Sequence, residues 1–227
     1  MTYQYRGEYI ENDTPVKAVV QSKFTTQAYR RSLKRLLDLL VVAIAALPAL
    51  AVLLILGAIV AIDGHSPLYA QDRVGRGGRL FRLFKLRTMV HNADEVLEQT
   101  LARDPAARAE WTEFQKLQND PRITRIGRIL RKSSLDELPQ LLNVALGDMS
   151  IVGPRPIMDK QRGIYPGTDY YAMRPGITGF WQISVRNVSS FAERAAFDSR
   201  YFSEMSFATD LRVICKTFVV VIKGTGV

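Results

Sequence analysis

Residues 39–62 read LLVVAIAALPALAVLLILGAIVAI, without one charged or polar side chain. At about 1.5 Å per residue, such a helix is long enough to cross a hydrocarbon core roughly 30 Å thick. The run lies behind a polar segment too long for a typical cleaved signal peptide. It therefore predicts a membrane-seated helix, and its flanks constrain how that helix can sit. Arg30, Arg31, Lys34 and Arg35 precede it; Arg73, Arg76, Arg79, Arg82, Lys85 and Arg87 follow it. Basic residues mark the cytoplasmic side of a membrane segment, and here both ends claim that side. Pro48 removes one helical hydrogen bond inside the run. A break there would leave two pieces, each too short to cross alone, and let the chain enter and leave by one face. The alternative is a straight spanning helix that tolerates its proline. Charge and proline alone leave both open. Asp38, one turn into this helix, is costly in lipid and is expected to pair with Lys34 or Arg35.

The 227-residue chain carries a formal net charge of +9. That balance implies anionic partners: phosphorylated substrates, anionic lipid or nucleic acid. One cysteine, Cys215, excludes an internal disulfide. Two histidines leave too few ligands for a zinc site of the Cys/His type.

The remaining pattern is mixed. Residues 1–28 read as a polar arm. Residues 68–88 read as a β-hairpin, LYAQDRV and RLFRLFKLRTM around GRGG. Its second run is expected to show one buried face and one cationic face, either solvated or turned toward phosphate. Residues 93–118 predict polar helices broken at Asp104-Pro105. Arg122, Arg125, Arg128 and Arg131 recur at intervals of three among isoleucines, which predicts a basic amphipathic helix. It suits an anionic membrane surface, with nucleic acid as the rival. The aromatic and glycine-rich stretch YYAMRPGITGFWQIS predicts loops over a packed base, followed by two helices, the last apolar. No P-loop, dinucleotide fingerprint or nucleic-acid module is present.

An acidic pair, Asp136-Glu137 in SSLDELPQ, stands among cations in this basic chain. Ser134 and Glu137 have capping-box spacing, although Pro139 would then disturb the first helical turn. Asp136 as N-cap, or a helix kinked at Pro139, are equally good readings. The surrounding cations would keep a carboxylate ionised, fit to act as nucleophile or magnesium ligand. Spacing alone does not separate capping from catalysis.

TRIGRILRKSSLDELPQLLNVALGDMSIVGPRP, taken with KRLLD and its apolar run, DRVGRGGRLFRLFKLRTM, RPGITGFWQIS and FDSRYF, closely resembles the bacterial sugar transferases. These are monotopic polyprenyl-phosphate phosphoglycosyl transferases. The resemblance implies an α+β, mostly helical fold. In it a re-entrant membrane helix-break-helix and amphipathic interface helices surround a small basic β-hairpin. Its parts would be the arm (1–28), the membrane anchor (29–66, with Asp38 and Pro48) and a catalytic domain on the cytosolic face (67–227).

The resemblance further implies transfer of a sugar 1-phosphate from a nucleotide sugar, a UDP-hexose, to undecaprenyl phosphate. That step would initiate exopolysaccharide or other surface-glycan assembly at the cytoplasmic face of the bacterial inner membrane. Asp136 would be the nucleophile of a covalent aspartyl-phosphosugar intermediate and Glu137 a ligand of Mg2+. Lys85, Arg87 and Arg155 would contact phosphate, and Asp198 would lie near the site. Partners would be the nucleotide sugar, undecaprenyl phosphate, the bilayer and, as a homodimer, a second copy; nucleic acid is not among them. Leu47-Pro48 replaces the family's frequent Ser-Pro pair, and Val185 stands where hexose-transferring relatives often have glycine. A non-enzymatic basic membrane-surface adaptor is the competing reading.

Overall fold

The computed structural model of the chain describes residues 28–184 and 190–222. The expected polar arm, except residue 28, and Val185 lie outside these. A π-helical turn, Tyr29–Leu33, leads into helix α1, Lys34–Val60. The hairpin follows: β1, Leu68–Val74, pairs antiparallel with β2, Leu80–Leu86, in the register Ala70↔Phe84 and Asp72↔Arg82. Helices α2 (Ala93–Arg103) and α3 (Pro105–Phe114) come next. Asp104 caps α3 by accepting from the backbone N–H of Ala106 at 2.8 Å, with Pro105 at the first helical position, where its missing donor costs nothing. Helix α4 spans Arg125–Ser133 and α5 spans Gln140–Leu146. Strand β3, Ser150–Val152, runs parallel to β4, Gly176–Thr178. Helices α6 (Arg194–Glu204) and α7 (Phe207–Ile222) complete the described chain. The architecture is mostly helical around two small sheets.

Helix α1 carries the apolar run. Its 30-residue apolar stretch, Lys34–Asp63, has a mean hydropathy of 3.1 over its best window, and that window is not buried by the rest of the chain. Leu47 is 79% exposed and Ile44 71%. In water such a face would be strongly unfavourable; in lipid it is what the solvent requires. The expected division at Pro48 into two helices is not found. α1 keeps helical geometry through Pro48 as one element, because a proline removes one hydrogen bond while the neighbouring bonds hold the helix together.

Both ends of α1 dock on the same body. At the start, Lys34 Nζ donates to the Val152 carbonyl at 2.9 Å and pairs with Asp210 of α7 at 2.6 Å. Tyr29 and Tyr201 donate to the same Asp210 carboxylate at 2.5 and 2.7 Å. Arg35 donates to the Val144 and Ala145 carbonyls near the end of α5. Asp38 does not form the expected ion pair: Lys34 is taken by Asp210 and Arg35 by carbonyls. Asp38 is 2% exposed, and its Oδ1 instead accepts from Ser150 Oγ and the Ile151 N–H of β3, both at 2.9 Å. At the far end, Val60 packs with Leu86 of β2 and Leu130 of α4.

The hairpin corrects a second expectation. Phe81, Leu83 and Lys85 share one face of β2, while Leu80, Arg82, Phe84 and Leu86 share the other, because side chains alternate strictly. Leu83 and Leu86 lie on opposite faces and both are buried, in separate clusters. Cations therefore occur on both faces, and Lys85 lies on a packed one rather than on a separate cationic face.

The arginine series around α4 also divides. Thr124 is the N-cap, accepting from Gly127 N–H at 2.9 Å, so Arg122 precedes the helix. Residues three apart on a 3.6-residue helix drift by about 60° each step. Arg125 and Arg128 point outward beside exposed Ile126 and Ile129. Arg131 turns inward and donates to Thr88 Oγ1 at 2.9 Å. Gly127 lets α4 lie against the strand end, since a Cβ there would run into the Thr88 carbonyl.

Candidate active site

Helix α4 ends abruptly. Ser134 takes a left-handed conformation, φ 57°, as its C-cap. That conformation is unfavourable for a residue with a Cβ, and here it reverses the chain. A 3-10 turn, Leu135–Glu137, follows at once, then Pro139 at the position before α5. Neither capping reading is realised: Ser134 closes the preceding helix, and neither Asp136 nor Glu137 caps α5. Pro139 supplies no N–H where none is needed. The turn directs Asp136 inward, where it is 5% exposed.

Lys85 of β2 reaches this turn from the hairpin. Its Nζ lies 3.9 Å from Asp136 Oδ2 and 3.6 Å from Glu137 Oε1. Arg155, just beyond β3, donates to Glu137 Oε1 at 3.2 Å. The two carboxylates thus converge on one ammonium group. Burial raises the Asp136 pKa, with Lys85 as the strongest opposing influence and Glu137 adding to the rise. Desolvation therefore outweighs the surrounding cations, contrary to the expectation that cations alone hold this carboxylate ionised. Burial likewise lowers the Lys85 pKa, with both carboxylates opposing.

The pair lies in a cleft of about 470 Å³. Arg73, Lys85, Arg122, Arg131, Arg155 and Arg194 line it. Arg122 is neutralised by Asp120, with nitrogen–oxygen distances of 2.8 and 2.6 Å. The others crowd one another. Burial first, then the charge on Arg155, lowers both Arg73 and Arg194 to about 10. Cations held close despite repulsion make a site that an anion of several charges would relax. An apolar wall, including Leu138, Leu141, Ile177, Val220 and Val221, adjoins the charged part.

Of the residues singled out from sequence, Asp136, Glu137, Lys85 and Arg155 come together. Arg87 does not join them: it donates to Asp63 at 2.6 and 2.7 Å and to the Val60 and Ser66 carbonyls. One residue of β2 separates it from Lys85, two steps along a strand, but the strand end has passed the cleft. Asp198 stands behind the cleft. It is 6% exposed and accepts from Tyr165 Oη at 2.5 Å, and burial raises its pKa to about 7. Arg73 of the basic flank, Arg131 of the amphipathic helix and Arg194 of α6 join Asp136, Glu137, Lys85 and Arg155 in lining the cleft. Trp111, Trp181 and Gln182 also line the cleft. Only the pairing of distant segments brings these side chains together.

Residues 29–224 match the family described as bacterial sugar transferase. The chain is 51% identical over 201 residues to the UDP-galactose-lipid carrier transferase of Erwinia amylovora, covering 86% of this chain and 42% of that protein. It is 51% identical over 166 residues to the undecaprenyl-phosphate galactose phosphotransferase of Salmonella typhimurium, covering 72% of this chain and 35% of that protein. It is 44% identical over 196 residues to the exopolysaccharide production protein ExoY of Rhizobium meliloti, covering 85% and 87%. The chain thus spans less than half of the first two relatives and most of the third.

Proposed function

Because the chain belongs to the bacterial sugar transferase family, we propose that it moves a sugar 1-phosphate from a UDP-hexose to undecaprenyl phosphate at the cytoplasmic face of the inner membrane. The observation that carries this reading is the pair of buried Asp136 and half-buried Glu137, bracketed by Lys85 and Arg155 in a cationic cleft. The substrate class is supported by the similar proteins, which are a galactose phosphotransferase, a UDP-galactose-lipid carrier transferase and an exopolysaccharide production protein.

The reaction runs in two displacements. An Asp136 carboxylate oxygen attacks the phosphorus that bears the sugar. The bond from that phosphorus to the bridging oxygen breaks, and the nucleoside monophosphate leaves with the bonding pair. A phosphate oxygen of undecaprenyl phosphate then attacks the same phosphorus and expels the Asp136 carboxylate. Dividing one difficult transfer into two is the gain of covalent catalysis. Lys85, Arg131 and Arg155 oppose the negative charge that gathers on the phosphoryl oxygens. Among the described residues no group of three or more His, Cys, Asp or Glu could cage a metal. Mg2+ needs no such cage, since one or two carboxylates with substrate phosphates and water suffice. Glu137, with Asp136 beside it, would hold that ion, which would neutralise diphosphate oxygens when bound.

The anchor is proposed to be re-entrant. Both ends of α1 rest on the body that holds the cleft, while Ile44, Leu47 and Leu50 around Pro48 stand exposed. In this arrangement both basic flanks stay on one side. Cysteines placed at Leu36 and Ser66 should both resist impermeant labelling from outside; labelling of one alone would refute re-entry.

The assay for function is release of nucleoside monophosphate from UDP-galactose, dependent on both magnesium and undecaprenyl phosphate. Asp136→Asn should abolish it. Full activity in Asp136→Asn would remove the nucleophile assignment, and undiminished cellular function in the Asp136→Ala, Glu137→Ala double variant would favour a non-enzymatic adaptor.

A further inference from the structure

Gln182 presents a buried amide with nothing to bond. It is 6% exposed and lines the cleft, and neither its Oε1 nor its Nε2 has a hydrogen-bond partner. Native interiors rarely leave such groups unmatched, because their lost hydration is not replaced. Which way the amide is turned is immaterial, since both atoms are unmatched. The position is not an isolated misfit. Of the six buried side-chain atoms without a partner among the described residues, four belong to residues that line this cleft: the two of Gln182 and the Nε atoms of Arg73 and Arg194. Unmatched groups gathered in one cleft point to a ligand rather than to loose packing.

The surroundings hold Gln182 in place. Gly179 lies against it, and a Cβ there would approach Gln182 Oε1 at 3.0 Å. The preceding residue, Trp181, lies under the Arg194 guanidinium at 4.2 Å and near that of Arg155 at 5.9 Å. Arg155 in turn donates to Glu137. Gln182 therefore sits beside the cationic wall of the reaction centre.

We propose that Gln182 is a donor-recognition residue whose carboxamide pairs with a neighbouring hydrogen-bond donor and acceptor on the nucleotide sugar. This rests on the transferase reading. A carboxamide offers an N–H and a C=O side by side, and only a group presenting the converse satisfies both. Phosphate accepts but does not donate, so it would leave Oε1 unmatched. A prenyl chain offers neither. The remaining parts of the substrates are the imide edge of uracil and the adjacent hydroxyls of the ribose and of the transferred sugar, which share this donor–acceptor chemistry.

The test uses the full chain in lipid nanodiscs with Gln182→Met and Gln182→Leu. The KM for UDP-galactose should rise about tenfold or more, with the KM for undecaprenyl phosphate held within about twofold. The melting temperature should stay level or rise, because an unmatched polar group has been replaced by an apolar one. Weakened binding of UMP alone identifies the nucleoside, base or ribose, as the group read; weakened UDP-galactose binding with UMP unaffected identifies the transferred sugar. An unchanged donor KM, or a fall in melting temperature in both variants, overturns the proposal. Absence of UMP release from the unaltered protein with every UDP-hexose would instead overturn the transferase reading on which it rests.

Discussion

Replacing Lys85 with methionine tests the electrostatics of the reaction centre directly. Lys85 Nζ stands 3.9 Å from Asp136 and 3.6 Å from Glu137. Two unit charges at this separation interact by about 4 kcal/mol at the effective dielectric of a protein site. Since about 1.4 kcal/mol corresponds to one pH unit in a pKa, loss of Lys85 could raise the Asp136 pKa by about three at most. Arg131 and Arg155 remain and also oppose the rise, and water entering the vacated space screens the pair. The expected net effect is a smaller rise in the same direction. Asp136 must be ionised to attack, so activity is lost as pH falls through its pKa. The acidic limb of kcat/KM should therefore move to higher pH in Lys85→Met, and Lys85→Arg should hold it near its original place. The measurement is UMP release from UDP-galactose between about pH 5 and 9. An acidic limb that does not move in Lys85→Met would refute the claim that Lys85 sustains the Asp136 carboxylate.

Three further perturbations probe the frame around the cleft. Asp198 has its pKa raised to about 7, chiefly by burial, so the folded chain holds a proton there that the unfolded chain has released. Stability from this group is complete below about pH 4 and is lost as pH rises through about 7, at up to about 1.4 kcal/mol per pH unit; denaturation at both ends of that range should show Asp198→Asn, which keeps an acceptor for Tyr165, less sensitive to pH. In Gly127→Ala the new Cβ meets the Thr88 carbonyl, and calorimetry should report a loss of about 1–3 kcal/mol from overpacking. Arg87→Met removes the bonds to Asp63, Val60 and Ser66; the donor KM should stay unchanged while limited proteolysis cuts residues 61–67 faster.

The anchor, the hairpin and the Asp104-Pro105 helix boundary were legible in sequence because each depends on neighbours in the chain. An apolar run declares its solvent, a Gly-rich link between extended runs declares a hairpin, and Asp before Pro declares a helix start. Asp136 and Glu137 stood out for a different reason, as adjacent acids in a basic chain whose long motifs resemble a known family. What those acids do locally was not legible. Their turn follows from Ser134 in a left-handed conformation, a choice that local spacing did not reveal.

Other assignments needed tertiary structure because they depend on which distant groups compete for one partner. Asp38 lost its neighbouring cations to Asp210 and to backbone carbonyls, and found β3 instead. Arg87 and Lys85 are two residues apart, yet one closes the loop beyond the apolar helix while the other meets the Asp136-Glu137 pair. Gln182 stood within the RPGITGFWQIS motif but nothing local singled it out, since an unmatched amide is defined only by what surrounds it. By itself the sequence determined a basic chain with one long apolar run and an Asp-Glu pair set among cations, since hydropathy, charge and local backbone preference are properties of short stretches. The tertiary structure alone decided that the pair would converge on Lys85 in a buried cleft, since desolvation and Coulomb interaction depend on distances that only the folded chain sets.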